Sequence, residues 1–107
     1  MDKNLNLTID TLIKQHPIIL FMKGDKYFPK CNFSQQAVNI LNTFNIEYHT
    51  INVLNDNNMR SGIKIYSQWP TIPQLYINQE FIGGIDIICH LYRTFELHEI
   101  LEIHINS

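Results

Sequence analysis

Ile18-Ile19-Leu20-Phe21-Met22-Lys23-Gly24-Asp25-Lys26-Tyr27-Phe28-Pro29-Lys30-Cys31-Asn32-Phe33-Ser34 is the stretch that decides the fold. Its first five residues are an unbroken apolar run, which reads as a strand buried on both faces. Beyond the basic segment that follows, Ala37, Val38, Ile40, Leu41 and Phe44 recur at helical spacing. The whole therefore reads as strand, loop and helix, with Cys31 at the helix start. The first N–H groups of a helix lack internal partners and carry partial positive charge. A thiolate in that position is stabilised, and Lys23 and Lys30 add positive charge nearby. The competing reading is a small apolar cysteine packed in the core; the basic, loop-like flanks favour a reactive thiol. Ser34 stands where a C-x-x-C motif carries its second thiol. A hydroxyl forms no disulfide, so a dithiol cycle within the motif is excluded. Cys31 is left to be glutathionylated, to attack one disulfide sulfur, or to bind a metal.

Upstream, Leu5, Ile9, Leu12 and Ile13 predict a helix over 4–15, ended by His16-Pro17. Downstream, the alternating, β-branched residues 46–53 predict a second strand. Asn55 and Asp56 can cap a short helix running to about residue 66. Trp69-Pro70-Thr71-Ile72-Pro73 breaks any helix, and Gln74-Leu75-Tyr76-Ile77 reads as a strand. Asn78-Gln79-Glu80 is a turn before a short last strand, Phe81-Ile82. Gly83-Gly84-Ile85-Asp86 turns into a helix ending near Arg93, with Asp86 as its expected N-cap. A final helix is expected over 96–103. Early alternation followed by a late hairpin implies a small mixed sheet with helices on its faces.

With 107 residues, the chain is expected to form one domain, 1–107. Apolar content of 45% and charged content of 17% suit a folded globular protein. A net charge of −2 gives no support to nonspecific nucleic-acid binding. No apolar run approaches the ~20 residues that span a bilayer, and Met1-Asp2-Lys3-Asn4 opens into an amphipathic segment without a signal-peptide core. Two distant cysteines without a secretory signal point to a reducing compartment, the cytoplasm. The five histidines, His16, His49, His90, His98 and His104, are scattered along the chain and do not form a zinc motif.

Met22-Lys23-Gly24, Pro29-x-Cys31-x-Phe33-Ser34, Trp69-Pro70-Thr71-x-Pro73-Gln74 and Gly83-Gly84-x-Asp86 occur together, in order and at the right spacing. With them the chain resembles the monothiol glutaredoxins, over roughly residues 9–103. The resemblance implies an α/β, thioredoxin-like fold: a four-stranded mixed sheet flanked by about five helices. It implies glutathione as a ligand, with Lys23 near the thiol and the glycyl carboxylate and Arg60 on the same carboxylate. Ile72 would offer main-chain hydrogen bonds beside a cis Pro73. Gly84 would allow close backbone approach, and the Ile85 amide and Asp86 would hold the γ-glutamyl end, with Phe33 completing the set. Read without the resemblance, Lys23 and Arg60 are solvated charges and Asp86 is only a helix cap. The chain departs from the family at four places. Asn32 replaces a glycine, Lys26 replaces a frequent proline, Ile65 replaces a lysine, with Lys64 one position off, and Ile85 replaces a frequent cysteine. Cys89 is expected to be packed.

Two functions compete. In the first, Cys31 is a metal ligand. Iron–sulfur clusters take four thiolates as a rule, and the reactive site of one chain offers one. Two chains and two glutathiones would supply four to a 2Fe–2S cluster bridging a homodimer. The resemblance then implies work in cluster assembly and transfer, with BolA-like proteins and iron–sulfur scaffold or acceptor proteins as partners. In the second, Cys31 is the sole catalytic nucleophile of a glutathione-dependent thiol–disulfide oxidoreductase. The resemblance to the monothiol class favours the first, with weak or no oxidoreductase activity. A thiol-free interaction module would leave the basic flanks and the glycine pair unexplained.

Overall fold

The computed structural model describes residues 3–106, the last four through their backbone only. The expectation for Met1 and Asp2 lies outside the described residues. The elements are α1 (Lys3–Gln15), β1 (Ile18–Met22), α2 (Asn32–Asn42), β2 (His49–Asn52), α3 (Asn57–Ser67), β3 (Gln74–Ile77), β4 (Glu80–Gly83), α4 (Ile85–Arg93) and α5 (Glu96–Asn106), with a 3₁₀ turn at Val53–Asn55. The second strand is shorter than its alternating pattern predicts. Asn52 caps the 3₁₀ turn, its side chain accepting from Leu54 N–H, and this ends the strand.

The strand order is β2-β1-β3-β4. β1 pairs parallel with β2 and antiparallel with β3, and β3 pairs antiparallel with β4. β1 is thus central, and every one of its residues is buried. Its side chains alternate between two cores. Ile18, Leu20 and Met22 pack with Ala37, Val38, Leu41, Ile88, Leu97 and Leu101 from α2, α4 and α5. Ile19 and Phe21 pack with Ile9, Ile13 and Ile63 from α1 and α3. The sheet is covered on both faces, which is why this strand reads as a continuous apolar run. Across the second face, the Tyr66 hydroxyl donates to the Asp10 carboxylate. Burial first, then that hydrogen bond and the Asp10 charge, push the Tyr66 phenol up to about 12.

This topology gathers the helix starts. β1 and β2 end together, with Met22 opposite Asn52. β3 begins at the same end, Gln74 opposite Phe21, and β4 finishes there with Gly83 opposite Leu75. The N-termini of α2, α3 and α4 therefore converge on one end of the sheet. In open α/β sheets, ligands bind beyond the carboxyl ends of the strands.

Candidate active site at the converging helix starts

Cys31 is the N-cap of α2, in extended backbone with φ −149° and ψ 158°. The Ser34 N–H donates to Cys31 Sγ at 3.3 Å, and the thiol lies 3.2 Å from Ser34 Oγ. Ser34 is fully buried, and its Oγ accepts from Lys23 N–H at 3.1 Å. That acceptance orients the hydroxyl. It can take a hydrogen bond from the thiol or give its own proton to the thiolate. The serine that removes the second thiol thus holds the first one in place and ties the start of α2 to the end of β1.

The loop between them is tied at several points. Asp25 Oδ1 accepts from Tyr27 N–H at 2.8 Å and Phe28 N–H at 3.0 Å. Lys26 Nζ donates to Tyr48 O at 2.7 Å and lies 4.9 Å from the Tyr48 ring centroid. Gly24 N–H donates to Asn52 Oδ1 at 2.9 Å. Gly24 has φ +87°, and a Cβ there would lie 2.3 Å from Phe28 O, so no side chain fits. Lys26, in the position of a frequent family proline, ties the loop through a hydrogen bond and a ring contact.

The second wall is the segment after α3. Gln68 closes the helix in the left-handed region with φ 53°, and the Trp69 N–H bonds back to Lys64 O. The following Pro70 cannot continue the helix. The Ile72–Pro73 peptide is cis, as the resemblance implies. Extending the β1–β3 register past Gln74 sets Ile72 and Pro73 alongside Met22 and Lys23. Gln74 is fully buried, and its Nε2 donates to Trp69 O and Thr71 O at 3.1 and 3.2 Å. In the sequence this glutamine shows only as a polar residue opening a buried strand.

The third wall is the start of α4. Here the structure corrects one expectation: Gly84, not Asp86, is the N-cap, and it offers no side-chain cap. Asp86 is in the first turn and exposed. A Cβ on Gly84 would lie 2.8 Å from Trp69 Nε1 and 3.4 Å from Pro73 O. The glycine lets the α4 start close against the Trp69–Pro73 segment. Among the described residues, the buried Trp69 Nε1 has no hydrogen-bond partner there.

The site residues Cys31, Lys23, Ile72, Pro73, Gly84 and Ile85 are thereby gathered at one end of the sheet. Phe33 is in the first turn of α2 and 58% exposed. Arg60 is in the first turn of α3, whose N-cap Asp56 accepts from Asn58 N–H and Met59 N–H. Among the described residues, the charged groups of Lys23, Arg60 and Asp86 make no hydrogen bond or ion pair with each other or with anything else. Asn32 is exposed at the first helical position. It is not among the residues with positive φ, so asparagine replaces glycine there without backbone strain. Cys89 is half-buried on α4, and both cysteines are free. One contact escaped sequence reasoning altogether: His16 and His49 stack with centroids 3.8 Å apart.

Comparison with known proteins agrees with this fold. The glutaredoxin family model matches residues 18–82. The uncharacterized monothiol glutaredoxin ycf64-like of Synechocystis sp. is 47% identical over 107 residues, covering 100% of both chains. The solution structure of reduced poplar apo GrxS14 matches with TM-score 0.83 and 46% identity, over 96% of this chain and 94% of that one. The crystal structure of a buckwheat glutaredoxin–glutathione complex, at 18% identity and TM-score 0.83 over 95% of this chain and 91% of that one, shares the fold. The fold is thioredoxin-like, and its site is a lone thiol at a helix start. The chain belongs to the glutaredoxin family, in its monothiol class.

Proposed function

We propose that this chain binds glutathione and, as a homodimer, a bridging 2Fe–2S cluster, and that it works in iron–sulfur cluster assembly and transfer. One observation carries the reading. Around a single thiol, three helix starts converge, and the charged groups of Lys23, Arg60 and Asp86 have no partner among the described residues. Glutathione has two carboxylates, one ammonium and an extended backbone. Lys23 and Arg60 suit one carboxylate. The uncapped α4 start suits the other, because its N–H groups are open to an anion. Asp86 suits the ammonium, and the backbone of Ile72 suits the peptide. The closeness that Gly84 permits and the exposed ring of Phe33 fit the same ligand.

Cys31 would be the chain's one ligand to the cluster, held by its bonds to Ser34. The cluster supplies a transferable iron–sulfide unit that needs four thiolates. One chain and one glutathione contribute two, so two of each are required. Partners would then be BolA-like and scaffold or acceptor proteins, in a reducing compartment such as the cytoplasm. Among the described residues, no helix is long and apolar enough to cross a membrane.

Anaerobic reconstitution with iron, sulfide and glutathione tests this, read by visible absorption and size. Wild type should change from a colourless monomer to a coloured dimer. Cys31→Ser should lose colour and dimer together, and Cys89→Ser should lose neither. A coloured dimer from Cys31→Ser, or a full cluster on a monomer, would sink the ligation scheme. The half-buried thiol at a helix start then favours the second reading, glutathione-dependent reduction of mixed disulfides with Cys31 as sole nucleophile.

A further inference from the structure

The two most exposed large apolar side chains among the described residues are Tyr27 at 76% and Phe28 at 70%. They sit side by side on the loop that leads to Cys31. An exposed aromatic pair on a tied loop costs solvation without adding to either core, and such patches mark interaction sites. The loop is already ordered: Asp25 holds the Tyr27 and Phe28 amides, and Lys26 is anchored on Tyr48. A partner would not have to freeze it, which lowers the cost of binding.

The local charge says what kind of partner fits. Residues 23–30 carry three lysines and one aspartate, net +2, whereas the rest of the chain is net −4 within a total of −2. Lys26 is occupied, but Lys30 is exposed and, among the described residues, its ammonium has no partner. A basic or lipid-like partner lacks either the charge or the discrete apolar anchor.

We propose that Tyr27, Phe28 and Lys30 form a docking platform beside Cys31 for an acidic protein segment that presents an apolar side chain. The proposal deepens the reading of Cys31 as the reactive thiol by naming the class of protein that approaches it.

The test uses short peptides carrying one cysteine blocked as a disulfide with thionitrobenzoate. The Cys31 thiolate attacks the peptide sulfur, a new Cys31–peptide disulfide forms, and the old disulfide breaks. The thionitrobenzoate leaves as a coloured thiolate with the electron pair. Rates are compared for an Asp- and Phe-containing peptide, its Asn isostere and its Ala-for-Phe version, each divided by the rate with a small neutral disulfide. Cys31→Ser serves as the blank. The acidic peptide should outpace its Asn isostere by about tenfold at low salt. That advantage should vanish at 1 M salt, where charges are screened within about 3 Å. Tyr27→Ser/Phe28→Ser should remove the preference for Phe over Ala while leaving the small-disulfide rate unchanged. Lys30→Gln should remove most of the acidic preference.

A thiol-free version of the acidic peptide, titrated to millimolar concentration into the isotope-labelled chain, should shift the amide resonances of residues 25–30. Equal rates for acidic and neutral peptides, or shifts absent from that loop, would overturn the platform. Glutathione binding by Tyr27→Ser/Phe28→Ser separates the two readings. If it persists while the peptide preference never existed, only the platform falls. If wild type binds no glutathione but still selects the acidic peptide, only the glutathione reading falls.

Discussion

At Ser34 a single hydroxyl does two jobs, bonding the thiol and the Lys23 amide. Ser34→Ala should therefore slow Cys31 alkylation at neutral pH and also reduce stability. The part-buried Lys23 N–H would be left unpaired, at about 1–3 kcal/mol; denaturant unfolding measures the second effect and timed labelling the first. A serine that acted only as a thiol replacement would move neither. Lys23→Ala and Asp86→Ala should each weaken glutathione binding by about tenfold or more, the loss of one charge-assisted hydrogen bond of about 1.5–3 kcal/mol. Calorimetric titration reads it directly, and unchanged affinity in both variants would remove the proposed pose. Cys31 itself was legible in the sequence, because strand, loop and helix start are local patterns. The Asp86 cap was misread for an equally local reason. Asp is a strong capping residue, but the close approach of Gly84 to Trp69 starts the helix one residue after that glycine, and Trp69 is fifteen positions away.

Among the elements, the β3–β4 hairpin carries the most direct test. Its turn residues Asn78 and Gln79 both have positive φ, 51° and 68°, the conformation of a type I′ turn. Asparagine tolerates this, but glutamine pays about 1–2 kcal/mol for it. Gln79→Gly should recover about 1 kcal/mol and raise the melting temperature by a few degrees. No gain would mean that the exposed glutamine has a compensating contact. Turn, strand and helix positions were largely readable because each rests on a short-range pattern. What ties the elements together was not. Asn52 reaches Gly24, and Gln74 reaches back to the Trp69 and Thr71 carbonyls. These polar side chains resemble surface residues until the fold places them.

For the whole molecule, the His16–His49 stack joins the end of α1 to the start of β2. Burial first, then the charges of His16 and Lys26, lower the proton affinity of His49. The unfolded chain therefore binds this proton at a higher pH than the folded one does. The stabilising effect is present above about pH 6.5, the ordinary histidine value. It is lost as pH falls from there through the lowered folded value. Stability measured by denaturant between pH 7.5 and 5 should decline, and His49→Gln should decline less steeply over the same range. A parallel decline in both would place the acid sensitivity elsewhere.

Trp69 is the only tryptophan in the chain, and its indole N–H, buried against the α4 start, has no partner among the described residues. Indole emission responds to the polarity and hydrogen bonding around that N–H. The protein thus carries an optical reporter at the wall of its own site. A ligand settling at the α4 start would change the colour or yield of that emission with no label attached. Binding could then be followed in milliseconds by rapid mixing, on the unmodified protein.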